Sequence, residues 1–273
     1  MGMSNAQKLY RDLFRVVAYA KDIEEVRSVL RDGADPNFPK TDEGCGDYTT
    51  VLHHAAIYTY SLSVEKVVCL VTEGGCDVDI TDREGCTPLI VASRYPSRLK
   101  VVAKLLSLKA DPNIISRNGA TALSEAAGSS SPEMVALLLE GGADVNPGFD
   151  TQPPLCLAVA NGRKVSIVRM LLEHGADPNL RDAKGYTPLH RAVRIEMRKA
   201  VVVVVDLLLL HGADLFALDP TGCTPLEVAG PEMAAYLRPL VAKWLMRAAR
   251  QTSVSCLPDD LMRDMIRPLV ARP

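Results

Sequence analysis

Catalytic signatures are missing from this 273-residue sequence. It holds no HExxH, no GxSxG, no P-loop and no Gly-rich dinucleotide fingerprint, so the common hydrolytic, phosphoryl-transfer and redox chemistries have no motif to stand on. Its seven cysteines are odd in number and contain no CxxC pair. That pattern suggests neither a disulfide framework nor a zinc site and reads as reduced thiols in an intracellular protein. A formal charge of -2 gives no case for nucleic acid or an anionic membrane surface. The most apolar run, residues 201–210, is interrupted by Asp206 and is too short to cross a bilayer. No secretory leader is read at the start, and Ala6 stands where myristoylation wants Ser or Thr. No cofactor and no membrane partner are expected, and the expected location is cytoplasmic or nuclear.

What is present is repetition. A helix-ending signature recurs as GADPN at Gly33, GCDVD at Gly75, KADPN at Lys109, GADVN at Gly142, GADPN at Gly175 and GADLF at Gly212. A helix-starting signature recurs as TVLHHAA at Thr50, TPLIVAS at Thr87, TALSEAA at Thr121, PPLCLAV at Pro153, TPLHRAV at Thr187 and TPLEVAG at Thr224. Each part has its own physical sense. Gly closes a helix with positive φ at no Cβ cost. Asp, Pro and Asn form the turn that follows. Thr caps the next helix, Pro suits its first position, and Leu begins the buried face. Lys109 stands where the others have Gly, which costs about 1 kcal/mol and predicts an irregular helix end.

Six phased copies of a two-part signature, at a period of about 33 residues, resemble an ankyrin repeat array over residues 22–229. The resemblance implies an all-α solenoid of about six to seven helix-turn-helix repeats, curved, with finger loops and inner helices on its concave side. Residues 1–37 read as an amino-terminal capping repeat, 38–231 as the repeats and 232–273 as a helical tail. A cap at Ser4 or Asn5 starts the first helix, and the loop at residues 38–48 is longer than its counterparts. His53 and His190 hold the repeat's own His position, where a hydrogen bond to the Thr of the same turn is the ordinary role. The acidic residues of the GAD turns are turn formers rather than acid-base pairs.

The tail carries a second signal. Pro239 is suited to open a helix whose apolar stripe includes Leu240, Trp244 and Leu245. Further on, Leu257, Pro258, Leu261, Met265, Ile266 and Leu269 mark another amphipathic stretch. That stretch resembles both the first helix of an F-box and the end of a SOCS box. The layout of ankyrin repeats followed by a short tail resembles the ankyrin repeat and SOCS box family. Val241 and Pro239 depart from that box's helix pattern. The plain alternative is a carboxy-terminal cap over the last repeat.

The function that follows is protein recognition, with no enzymatic chemistry. The resemblance implies the substrate-recognition subunit of a cullin-RING E3 ubiquitin ligase, its tail binding elongin or an F-box adaptor with a cullin. A scaffold or inhibitor that binds one partner is the alternative. On the concave side, Tyr58, Arg94, Tyr95, Phe149, Tyr186, Arg191 and Arg194 are the candidate partner-binding residues, because Tyr and Arg most often anchor interfaces. Leu240, Leu245, Leu257, Pro258, Leu261, Ile266 and Leu269 are the candidate ligase-docking residues.

Overall fold

The computed structural model describes residues 4–37, 50–58, 62–129, 131–148, 151–160, 165–196 and 198–251, with the backbone alone at 245–251. Among these residues every regular element is helical. The helices are α1 (Asn5–Tyr19), α2 (Ile23–Arg31), α3 (Val51–Ile57), α4 (Ser63–Thr72), α5 (Pro88–Ser93), α6 (Leu99–Ser107) and α7 (Ala122–Ser129). They continue with α8 (Pro132–Glu140), α9 (Pro154–Ala160), α10 (Val165–Glu173), α11 (Pro188–Val193), α12 (Lys199–Leu210), α13 (Pro225–Val228) and α14 (Pro231–Gln251). Odd-numbered helices from α1 to α13 pack in an inner row and even-numbered ones from α2 to α12 in an outer row, each helix touching its counterpart in the next repeat. The two-part signature dictates this. Thr87 and Thr187 cap their helices through the side chain, Pro88 and Pro188 open them, and Leu89 and Leu189 are fully buried behind. Ser4 caps α1 in a reciprocal capping box with Gln7.

Two hydrogen-bond systems tie neighbouring repeats. In the first, the turn Asn of one repeat donates its amide to the Gly carbonyl of the next helix end and accepts from the following Asp N–H. Asn113 does so to Gly142 and Asp144 (3.2 and 2.7 Å), Asn146 to Gly175 and Asp177 (2.8 and 2.8 Å), and Asn179 to Gly212 and Asp214 (3.0 and 2.8 Å). Asn37 makes the same pair with Gly75 and Asp77. Asp79 takes the Asn position once, and it can only accept, from Asp111 N–H at 3.0 Å. Burial raises its pKa above the ordinary carboxylate value. At the last turn Phe216 takes the Asn position, and its ring meets Trp244 of α14 at 5.0 Å.

The second system uses the buried histidines. His53 bonds Thr50 Oγ1 through Nδ1 (2.8 Å) and the Cys86 carbonyl of the next repeat through Nε2 (2.8 Å). His190 does the same with Thr187 and Cys223 (2.8 and 3.2 Å). A carbonyl can only accept, so Nε2 carries the proton and the neutral ring is the one that fits. Burial accordingly lowers both pKa values. A His pKa lower in the folded than in the unfolded chain contributes stability that is complete above the unfolded value, about 6.5, and is lost as pH falls through the folded value. Thermal melting is therefore expected to be flat from about pH 7 to 8 and to fall steadily below about 6.5. His53→Gln with His190→Gln is expected to flatten that acid limb, and an unchanged limb would count against the two rings as its source.

Two expectations need correction. The helix end at Lys109 is regular, not irregular. Lys109 adopts φ 71°, and its N–H and that of Ala110 bond Leu106 and Leu105, as Gly142 and Ala143 bond Leu139 and Leu138. The network of the turn holds the backbone, and the lysine carries the strain. Lys109→Gly is thus expected to stabilise by about 1 kcal/mol. Asp79→Asn, which restores the missing amide donor, is expected to add about 1 kcal/mol. A urea midpoint lowered by either change would refute this account. Pro239, in turn, does not open the tail helix. That helix starts at Pro231, just after Gly230 releases the chain, and Pro239 lies within it. Met233, Leu237 and Val241, spaced four apart, are buried against the last repeat and carry the helix through the proline. Leu240 is left half-buried, and Trp244 is half exposed.

Candidate partner-binding face

The inner row and the finger turns that feed it form one face. Four of the described fingers are tight turns closed by an acceptor side chain, Asp82, Ser116, Asp182 or Asp219, and a positive-φ Gly. Asp82 N–H bonds the Cys86 carbonyl, and Asp182 N–H bonds that of Tyr186. Gly85 and Gly185 turn with φ 73° and 79°. Adjacent fingers are joined through backbone, Arg117 N–H to Glu84 at 2.9 Å and Gln152 N–H to Gly119 at 2.8 Å. A Cβ at Gly85 would stand 3.2 Å from the Arg117 nitrogen, so this Gly serves a close approach as well as the turn.

Of the predicted residues, the structure gathers some and separates others. Tyr58 stands 49% exposed at the end of α3, its ring 5.0 Å from His54, which in turn meets Phe14 at 4.6 Å. Arg94 bonds Glu125 of the next repeat at 3.0 Å and reaches the Cys86 sulfur. Burial opposes the Arg94 charge, and Glu125 outweighs it, so its pKa is raised. Tyr95 is 44% exposed beside it and leads into a 3-10 turn at Pro96–Arg98.

Tyr186, Arg191 and Arg194 form a single cluster. The guanidinium carbons of Arg191 and Arg194 lie 4.8 and 4.9 Å from the centre of the Tyr186 ring. Asp182 pairs with Arg191 through its outer oxygen, while its other oxygen accepts from the N–H groups of Lys184 and Tyr186. One carboxylate therefore builds the turn and fixes the arginine. A hydrogen bond with Tyr186 raises the Arg194 pKa. Phe149, Leu257, Pro258, Leu261, Ile266 and Leu269 lie outside the described residues, as does the loop at 38–48, and nothing is described of the Leu245 side chain. Sequence reasoning missed Asp182 as the clamp on Arg191. The signal available was a turn Asp nine residues before an Arg on the next helix.

The family description "Ankyrin repeats (3 copies)" matches residues 13–116, 100–182 and 155–246. The chain belongs to the ankyrin repeat family. It is a protein–protein interaction module, as ankyrin repeats generally are. Ankyrin repeat and SOCS box protein 6 of Homo sapiens is 35% identical over 175 residues, covering 55% of this chain and 40% of that protein. Ankyrin repeat protein nuc-2 of Neurospora crassa is 37% identical over 155 residues, covering 56% of this chain and 14% of that protein. The chain thus spans less than half the length of these relatives. The crystal structure of the ankyrin repeat domain of Bcl-3, a member of the IκB family, matches with TM-score 0.63 at 27% identity, covering 81% of this chain and 94% of that one.

Among the described residues no group of three or more His, Cys, Asp or Glu could hold a metal ion. No described helix is long and apolar enough to cross a membrane. Cys69, Cys76, Cys86 and Cys156 are buried free thiols, and burial pushes the thiols of Cys76 and Cys156 up to about 12, far from a reactive thiolate.

Proposed function

We propose that this ankyrin protein is the substrate receptor of a cullin-type ubiquitin ligase, acting in the cytoplasm or nucleus. The inner-row face holds a protein target, and the stretch containing Leu257, Pro258, Leu261, Ile266 and Leu269 engages elongin or an F-box adaptor. The observation that carries this reading is the cap. Met233, Leu237 and Val241 of α14 already cover the edge of the last repeat. An apolar stretch some sixteen residues further on, from Val241 to Leu257, is not required for that task. The likeness to an ankyrin repeat and SOCS box protein supports the same reading.

The test is co-purification of the full chain from cells, scored for a cullin with elongins or with an F-box adaptor. Leu257→Ala with Pro258→Ala is expected to abolish that association and to leave target binding intact. Tyr95→Ala with Tyr186→Ala is expected to do the reverse, since truncating interface aromatics costs about 2 kcal/mol or more. A wild-type chain that brings down its target and no cullin would leave a scaffold or inhibitor.

A further inference from the structure

We infer that the Tyr186 cluster reads an acidic side chain, Asp or Glu, on a peptide segment of the partner, with Arg194 as the residue that takes its carboxylate. This rests on the inner-row face being the binding face and names the chemistry of what lies there.

The cluster concentrates positive charge and then neutralises only part of it. Arg191 and Arg194 both approach one aromatic ring. Arg191 is paired with Asp182. That carboxylate has no capacity left, because its second oxygen holds the finger turn through Lys184 and Tyr186. Arg194 is exposed, and among the described residues it has no carboxylate within ion-pair distance. Of the other charges nearby, Asp219 attracts it without forming an ion pair, and none bonds it. Arg181 is spent on the Gly185 and Leu218 carbonyls, and Lys184 is a further exposed cation at the finger tip. Asp219 is buried, with an oxygen accepting from Thr221 and Cys223. Glu196 is bound to Arg198. Five cations, Arg181, Lys184, Arg191, Arg194 and Arg198, are set against the three carboxylates Asp182, Glu196 and Asp219. A protein of net charge -2 has placed a local positive excess here.

Arg194 is also held in advance. The ring contact with Tyr186 limits the freedom that a long side chain would otherwise lose on binding. A guanidinium so placed presents a planar fork that matches a carboxylate.

The experiment is display of random peptides against the full chain, followed by fluorescence anisotropy with the selected peptides. Selected sequences are expected to share an Asp or Glu. Changing that residue to Asn or Gln should weaken binding about tenfold, as should Arg194→Gln in the protein. The two changes together should cost little more than either alone, which identifies them as partners. Circular dichroism of the variants should match wild type. Selected peptides without a shared acid, a library that yields no binder, or indifference to Arg194→Gln would overturn the inference. Equal competition by a single-stranded oligonucleotide would also overturn it, in favour of unspecific charge. A peptide lost with Tyr95→Ala but indifferent to Arg194→Gln would spare the binding face and remove only the acid reading. A peptide indifferent to Tyr95→Ala, Tyr186→Ala and Arg194→Gln alike would remove both.

Discussion

Lys66→Ala is expected to destabilise the amino-terminal end of the array by about 4 kcal/mol, a large effect for a polar substitution. Lys66 is buried to 1% exposure in α4, and its ammonium donates to the carbonyls of Val17 and Ala20, both at 2.9 Å. These are carbonyls at the end of α1, where the helix has no partner of its own to offer and where a positive charge suits its dipole. Burial lowers the lysine pKa, partly offset by Glu25. Truncation would leave two buried acceptors unmet, each at about 1–3 kcal/mol, and a cavity where the stem lay. Lys66→Met keeps the stem and should lose only the hydrogen-bond part, about 2–3 kcal/mol. Because a repeat array can open from one end, hydrogen exchange of the α1 and α4 amides is the direct readout, with a urea titration beside it. A Lys66→Met protein with unchanged exchange in α1 would sink the account.

Leu237→Ala is the second large effect, expected at about 2–5 kcal/mol for a fully buried leucine. Its value lies in comparison with Leu257→Ala and Pro258→Ala. If α14 alone caps the array, the first variant lowers the melting temperature, and the second leaves it where it was. A melting temperature lowered by the tail variant and unmoved by Leu237→Ala would reassign the cap to the last residues of the chain and remove the argument that frees them for docking.

Most of the fold was legible because each repeat carries its own instructions. Capping Thr and opening Pro act within a few residues, so the starts of α5 and α11 could be read from sequence, and closing Gly did the same for the ends of α10 and α12. The positive φ at Lys109 was legible for the same reason. What could not be read depends on neighbours far along the chain. Lys66 stands nine residues before Gly75, and Lys100 nine before Lys109, yet the first is buried and the second exposed. The register is the same, and what differs is the helix facing it, 46–49 residues away in the first case. Pro239 misled because helix-opening is a local preference, while the buried face of α14 is a tertiary demand. The candidate residues Tyr186, Arg191 and Arg194 were named separately; their convergence on one ring requires the finger turn and the end of α11 to be placed together.

The Asn turns and the single Phe216 also bear on how such a chain can grow. A segment bounded by Asn113 and Asn146 begins and ends on the same pair of bonds, so a duplicate inserted after it would find matching partners on both sides. A duplicate ending in Phe216 would not, because that ring is fitted to Trp244 and offers the next repeat neither donor nor acceptor. Lengthening by gene duplication is thus open to the middle of the chain and closed at the point where Phe216 meets α14.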